Sequence, residues 1–99
     1  MSFSIGDFIS FNKYDKVIQD KIINNYGLIV NLIKEKNKYR YLISIPEYNG
    51  DYMWLNYNDL KKINIPIENK ISIISNFGDW WYGFHKMIYQ NILIDAIKN

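Results

Sequence analysis

Ninety-nine residues with twelve basic and ten acidic side chains give a net charge of only +2, short of the strongly basic balance of a dedicated nucleic-acid binder. The chain is 48% apolar and 22% charged, which suits one packed domain and excludes disorder. The absence of cysteine removes a disulfide framework, a thiolate zinc site and a thiol nucleophile together, and predicts a reducing compartment.

The N-terminal residues Met1-Ser2-Phe3-Ser4-Ile5-Gly6-Asp7 lack the basic region and apolar run of a signal peptide, so the expected location is cytoplasmic, the host cytoplasm for a viral chain. Residues 7–11 read as a short strand entered through Gly6, and the Asn- and Lys-rich residues 12–25 read as a long loop. Three runs rich in β-branched and aromatic residues follow, at 26–33, 38–45 and 52–57. Residues 58–63 suggest one helical turn, with Leu60 and Ile63 three apart, and Ile71-Ser72-Ile73-Ile74-Ser75 reads as a further strand. From Asp79 onward Trp81, Phe84, Ile88 and Ile92 fall at helical spacing. Gly83 places the helix start near Phe84 and leaves 78–83 as an irregular aromatic corner. The longest apolar-rich stretch, 87–97, is broken by Gln90, Asn91 and Asp95, and is too short and polar to span a bilayer.

Register can be inferred, because a slip of one residue sends every side chain to the other face. A four-residue turn at 34–37 places Leu32 opposite Tyr39, Val30 opposite Tyr41, Leu28 opposite Ile43 and Tyr26 opposite Ile45, an entirely apolar and aromatic face. Setting Met53 opposite Ile43 carries that face onward, with Leu55 opposite Tyr41 and Tyr57 opposite Tyr39. The two hairpins agree, which predicts a three-stranded antiparallel meander. Its outward face then holds Ile29, Asn31, Arg40, Leu42, Tyr52, Trp54 and Asn56.

Gly6-Asp7-Phe8-Ile9, Tyr26-Gly27-Leu28-Ile29-Val30, Tyr39-Arg40-Tyr41-Leu42-Ile43, Trp54 and Asp59-Leu60-Lys61-Lys62-Ile63 follow one another in a cadence that resembles SH3-like small barrels of the Tudor, chromo and KOW types. The resemblance spans residues 5–63 and leaves 64–99 as an appended strand and C-terminal helix within a single domain, 1–99. It implies a binding module for peptides, modified residues or nucleic acid, although fold alone does not set function.

Candidate binding residues come from two places. Arg40, Leu42, Tyr52 and Trp54 on the outward face, with Trp80 and Trp81 from the aromatic corner, have the composition of an interface hot spot. The competing account is that the C-terminal helix covers that face as a second core layer. Lys34, Lys36, Lys38 and Arg40 make a basic hairpin suited to phosphate, yet the register turns Tyr39 and Tyr41 inward. Tyr39, Tyr52, Trp54 and Tyr57 also supply rings for a methyl-lysine cage. His85, the only histidine, has no identifiable nucleophile to serve, and the acids are spread singly, so neither a catalytic nor a metal site is expected, and no cofactor.

The reading is an α+β domain, a small antiparallel SH3-like barrel or curled sheet with a C-terminal helix packed on it. Its expected activity is non-catalytic protein–protein binding, with nucleic-acid binding through residues 34–40 as the alternative and a homodimer as a third outcome. Nineteen Ile, thirteen Asn, eleven Lys against one Arg, and nine Tyr indicate an A/T-rich genome. With so short a chain, this usage fits a phage- or virus-encoded modulator or inhibitor of a host protein, such as a defence system.

Overall fold

The computed structural model describes residues 3–15, 21–46 and 51–98. Five antiparallel strands, β1 (Phe8–Asp15), β2 (Lys21–Glu35), β3 (Lys38–Ile45), β4 (Asp51–Asn56) and β5 (Leu60–Lys62), form one sheet in the order β4-β3-β2-β1-β5. A single 3₁₀ turn, Tyr57–Asp59, links β4 to β5, and three helices follow: α1 (Ile67–Ile74), α2 (Asp79–Phe84) and α3 (Lys86–Lys98). The class is therefore α+β. Among the described residues no ladder joins β4 to β5, so the sheet is open rather than a closed barrel.

The sheet has two apolar faces, which divides the core. On one face Ile9, Phe11, Ile29, Tyr41, Ile43, Ile45 and Leu55 are buried in a single cluster, with Phe3, Leu32, Met53 and Leu60 at its margin. Ile9 and Leu55 lie on β1 and β4, with β2 and β3 between them, so the sheet must curve around this face to bring both into one cluster. On the other face Phe8, Leu28 and Val30 meet Ile74, Phe77, Trp81 and Ile92 from the helical layer.

The β3–β4 register matches the expected one, with Ile43 opposite Met53 and Tyr41 opposite Leu55. The β2–β3 register differs in two respects. The turn has two residues, Lys36 and Asn37, both at positive φ (46° and 69°), so Glu35 pairs with Lys38 and Leu32 with Tyr41. Such φ values belong to the tight hairpin turn that follows the right-handed twist of its strands, and asparagine tolerates them. A bulge at Val30 then reverses the alternation, so Ile29 faces Ile43 in the curved core while Leu28 and Val30 face the helices. Ile29, expected on the outward face, is fully buried, and Tyr26, expected in the core, is exposed.

Four further expectations are corrected. The loop over 12–25 is largely ladder, since β1 continues to Asp15 and β2 starts at Lys21, with Tyr14 opposite Ile22. Main-chain pairing satisfies backbone N–H and C=O groups whatever the side chains are. The strand at 71–75 is instead the end of α1, because Ile71, Ile74 and the following Phe77 recur every three residues and deliver one apolar edge to the sheet. Pro66 caps that helix at its start, its carbonyl accepting from Asn69 and Lys70. The aromatic corner is itself helical, α2, separated from α3 by a break at His85 (φ −120°, ψ 37°). The turn expected at 58–63 is shorter and earlier, its second half being β5 against β1.

Candidate protein-binding surface

Burial of one indole positions the surface. Trp81 is completely buried on Phe77, with ring centroids 4.4 Å apart, and its Nε1–H donates to Ser44 Oγ at 2.9 Å. Ser44 is also fully buried and lies opposite Tyr52 in the β3–β4 ladder, so this bond seats α2 over the Tyr52 end of β4. Helical geometry then turns Trp80 and Phe84, four residues apart, onto a neighbouring face. The Trp80 ring meets Tyr52 edge-on at 5.8 Å and Phe84 at 5.9 Å. Two residues along β4, Trp54 shares the face of Tyr52 and carries the Arg40 guanidinium 5.5 Å from its ring centroid.

The result is a row of rings along an edge strand. Tyr52 and Trp80 are about two-fifths exposed, Trp54 is 36% exposed and Phe84 78%. Arg40, Tyr52, Trp54 and Trp80 are thus brought together as expected. Trp81 and Leu42 are not part of the row: Trp81 is core, and Leu42 is half-buried beneath the helical layer. The helices cover only part of the outward sheet face: Leu42 lies beneath them, while Tyr52 and Trp54 stay partly exposed. Phe84, which falls at helical spacing with Trp81, Ile88 and Ile92, joins the row although it was not among the candidate residues. The break at His85 resets the helical phase, and α3 buries Ile92 against the sheet while Phe84 swings outward.

His85 stacks on Trp81 at 5.0 Å, and its Nε2 is hydrogen-bonded to the Tyr52 hydroxyl. Burial holds the imidazole below its ordinary value of 6.5 and raises the Tyr52 phenol. A base with a depressed folded pKa adds stability above its unfolded value and loses it as pH falls through the folded one. The melting temperature is therefore expected to fall as pH is lowered from about 6.5 to 5, and His85→Gln should flatten that slope. An equal slope in the variant would place the titration elsewhere.

The basic hairpin meets the row at Arg40. Lys34, Lys36 and Lys38 are exposed, Lys34 Nζ lies 5.8 Å over the Tyr39 ring, and Arg40 reaches Glu35 at 4.0 Å. An open cleft of about 640 Å³ lies between this hairpin and the end of β4, lined by residues 35–40 and 56–58. Tyr39, expected in the core, is 40% exposed there, and Tyr57 is 42% exposed. The two-residue turn explains the change, because Leu32 pairs with Tyr41 and leaves Tyr39 beside Lys34 near the tip. Tyr52 and Trp54 stand on the helix-bearing face, so the four rings considered for a cation cage do not enclose one point.

Among the described residues no group of three or more His, Asp or Glu side chains is placed to hold a metal ion, and no helix is long and apolar enough to cross a membrane. Comparison with family models, with curated proteins and with solved structures finds no match to this chain.

Proposed function

We propose that this chain is a non-catalytic protein-binding module whose contact surface is the row Trp54, Tyr52, Trp80 and Phe84, flanked by Arg40. The observation behind this reading is that Tyr52, Trp80 and Phe84 form a chain of ring contacts, with Trp54 on the same face of β4, and that all four rings stay exposed although the fold buries Trp81 immediately beside them. Rings of this size dominate contact energetics, and Trp, Tyr and Arg are the commonest hot-spot residues.

The test is affinity capture from a nuclease-treated lysate with wild type, Trp54→Ala and Phe84→Ala in parallel. Wild type should retain one stoichiometric protein, and each substitution should weaken its binding by roughly 2 kcal/mol, about thirtyfold. Both variants should melt with the wild type, since neither ring is buried. A captured protein that ignores both substitutions, or a Trp54→Ala chain that fails to fold, would sink the proposal.

A further inference from the structure

The cleft beside the hairpin meets the aromatic row at Arg40 and adds two further lysines, Lys36 and Lys38, to its lining. Three cations, Lys36, Lys38 and Arg40, line it against one carboxylate, Glu35. The hairpin as a whole carries Lys34, Lys36, Lys38 and Arg40 against Glu35, while eight lysines face nine acids in the rest of the chain. All the net positive charge of the protein therefore lies in this one hairpin. Two tyrosines flank those cations with their rings open to solvent, Tyr39 and Tyr57.

Both rings are braced from behind. Buried Tyr41 stands 6.3 Å from Tyr39, Phe3 stands 5.1 Å from Tyr57, and Phe3 meets Tyr41 edge-on at 5.6 Å. This continuous chain of four rings ends in an exposed tyrosine at each end, so the platforms are held in place before any ligand arrives. The Asn56 and Asn58 amides, which also line the cleft, add donors and acceptors. A volume of about 640 Å³ fits a nucleotide-sized group.

We infer that this cleft binds single-stranded nucleic acid, with Tyr39 and Tyr57 as base-stacking platforms and Lys36 and Lys38 contacting the phosphates. Positive charge following a backbone beside exposed rings is the arrangement that holds unpaired strands without reading their sequence. A duplex would keep its bases stacked on one another and leave both tyrosines unused. The site adds a second ligand class to the protein-binding row. Its variants leave Trp54 and Phe84 untouched, so either proposal can fail alone.

The experiment is fluorescence anisotropy of labelled oligo(dT) and oligo(U) of about 12 nucleotides, titrated with the full chain over a range of salt. Wild type should bind both, and the paired change Lys36→Ala with Lys38→Ala should reduce the slope of log K against log salt by about 1.4. Tyr39→Ala and Tyr57→Ala should each weaken binding roughly tenfold or more, and Tyr39→Phe should restore it. Ultraviolet cross-linking of a bromouridine oligonucleotide to wild type should mark the peptide containing Tyr39 or Tyr57, which tests the site without any substitution. Absence of binding, equal affinity for duplex, indifference to the tyrosines, or cross-links elsewhere would each overturn the assignment. Competition by free thymidine monophosphate as effective as the oligonucleotide would also overturn it, reassigning the cleft to single nucleotides.

Discussion

Trp81→Ala is expected to destabilise the domain by about 3–5 kcal/mol, a large part of the 5–15 kcal/mol that a small domain has in total. Trp81 is the largest fully buried side chain and joins the layers, touching Phe77, Tyr82 and His85 while bonding to Ser44 beneath. Its loss opens a cavity between sheet and helices that the ends of α1 and α2 cannot both close. Trp81→Phe should fall in between, because the ring keeps much of its packing while Ser44 loses its indole partner. Urea denaturation of the three proteins gives the ordering. A Trp81→Ala chain within about 1 kcal/mol of wild type would mean that the helical layer contributes little and that the curved sheet is stable without it.

Gly27→Ala is the second large effect, and its mechanism is crowding rather than loss. A Cβ at Gly27 would sit inside the Ile43 Cγ2 methyl, and it would also press on Phe11 Cε1 at 3.4 Å. Gly27 lies opposite Ile9 in the β1–β2 ladder, where the curved core fills the space that a side chain would need. Overpacking of this kind costs about 1–3 kcal/mol or more when neighbours are branched and fully buried, as Ile43 is. Ile43→Ala removes the clashing methyl, so the double variant should be less destabilised than the sum of the two single changes. Strict additivity in denaturant midpoints would show that the glycine is needed for backbone freedom and not for space.

The candidate surface was legible in the sequence to the extent that alternation along a strand made it so. Tyr52, Trp54 and Arg40 share a face because β3 and β4 run regularly and their register follows from apolar pairing. The difference between Trp80 and Trp81 was not legible. Adjacent tryptophans have equal hydrophobicity, and only the position of α2 over Ser44 decides which is core. Phe84 likewise falls at helical spacing with Trp81, Ile88 and Ile92, and the break at His85 separates it from the last two. The open cleft is further from reach, because its two tyrosines come from β3 and from the turn after β4, nearly twenty residues apart.

By itself the sequence determined the composition class, the meander of β2, β3 and β4, the presence of a C-terminal helix and the absence of any cysteine chemistry. These follow from residue types and periodicity, which act over a few residues. The tertiary structure decided the bulge at Val30, the helical rather than extended state of residues 71–74, and which aromatic rings face solvent. In each of these cases two local conformations are close in energy, so a distant contact settles the choice. Isoleucine-rich α1 is helical because its apolar edge meets Phe8, Leu28 and Val30, and Leu28 and Val30 face the helices rather than the curved core because one extra residue is inserted in β2.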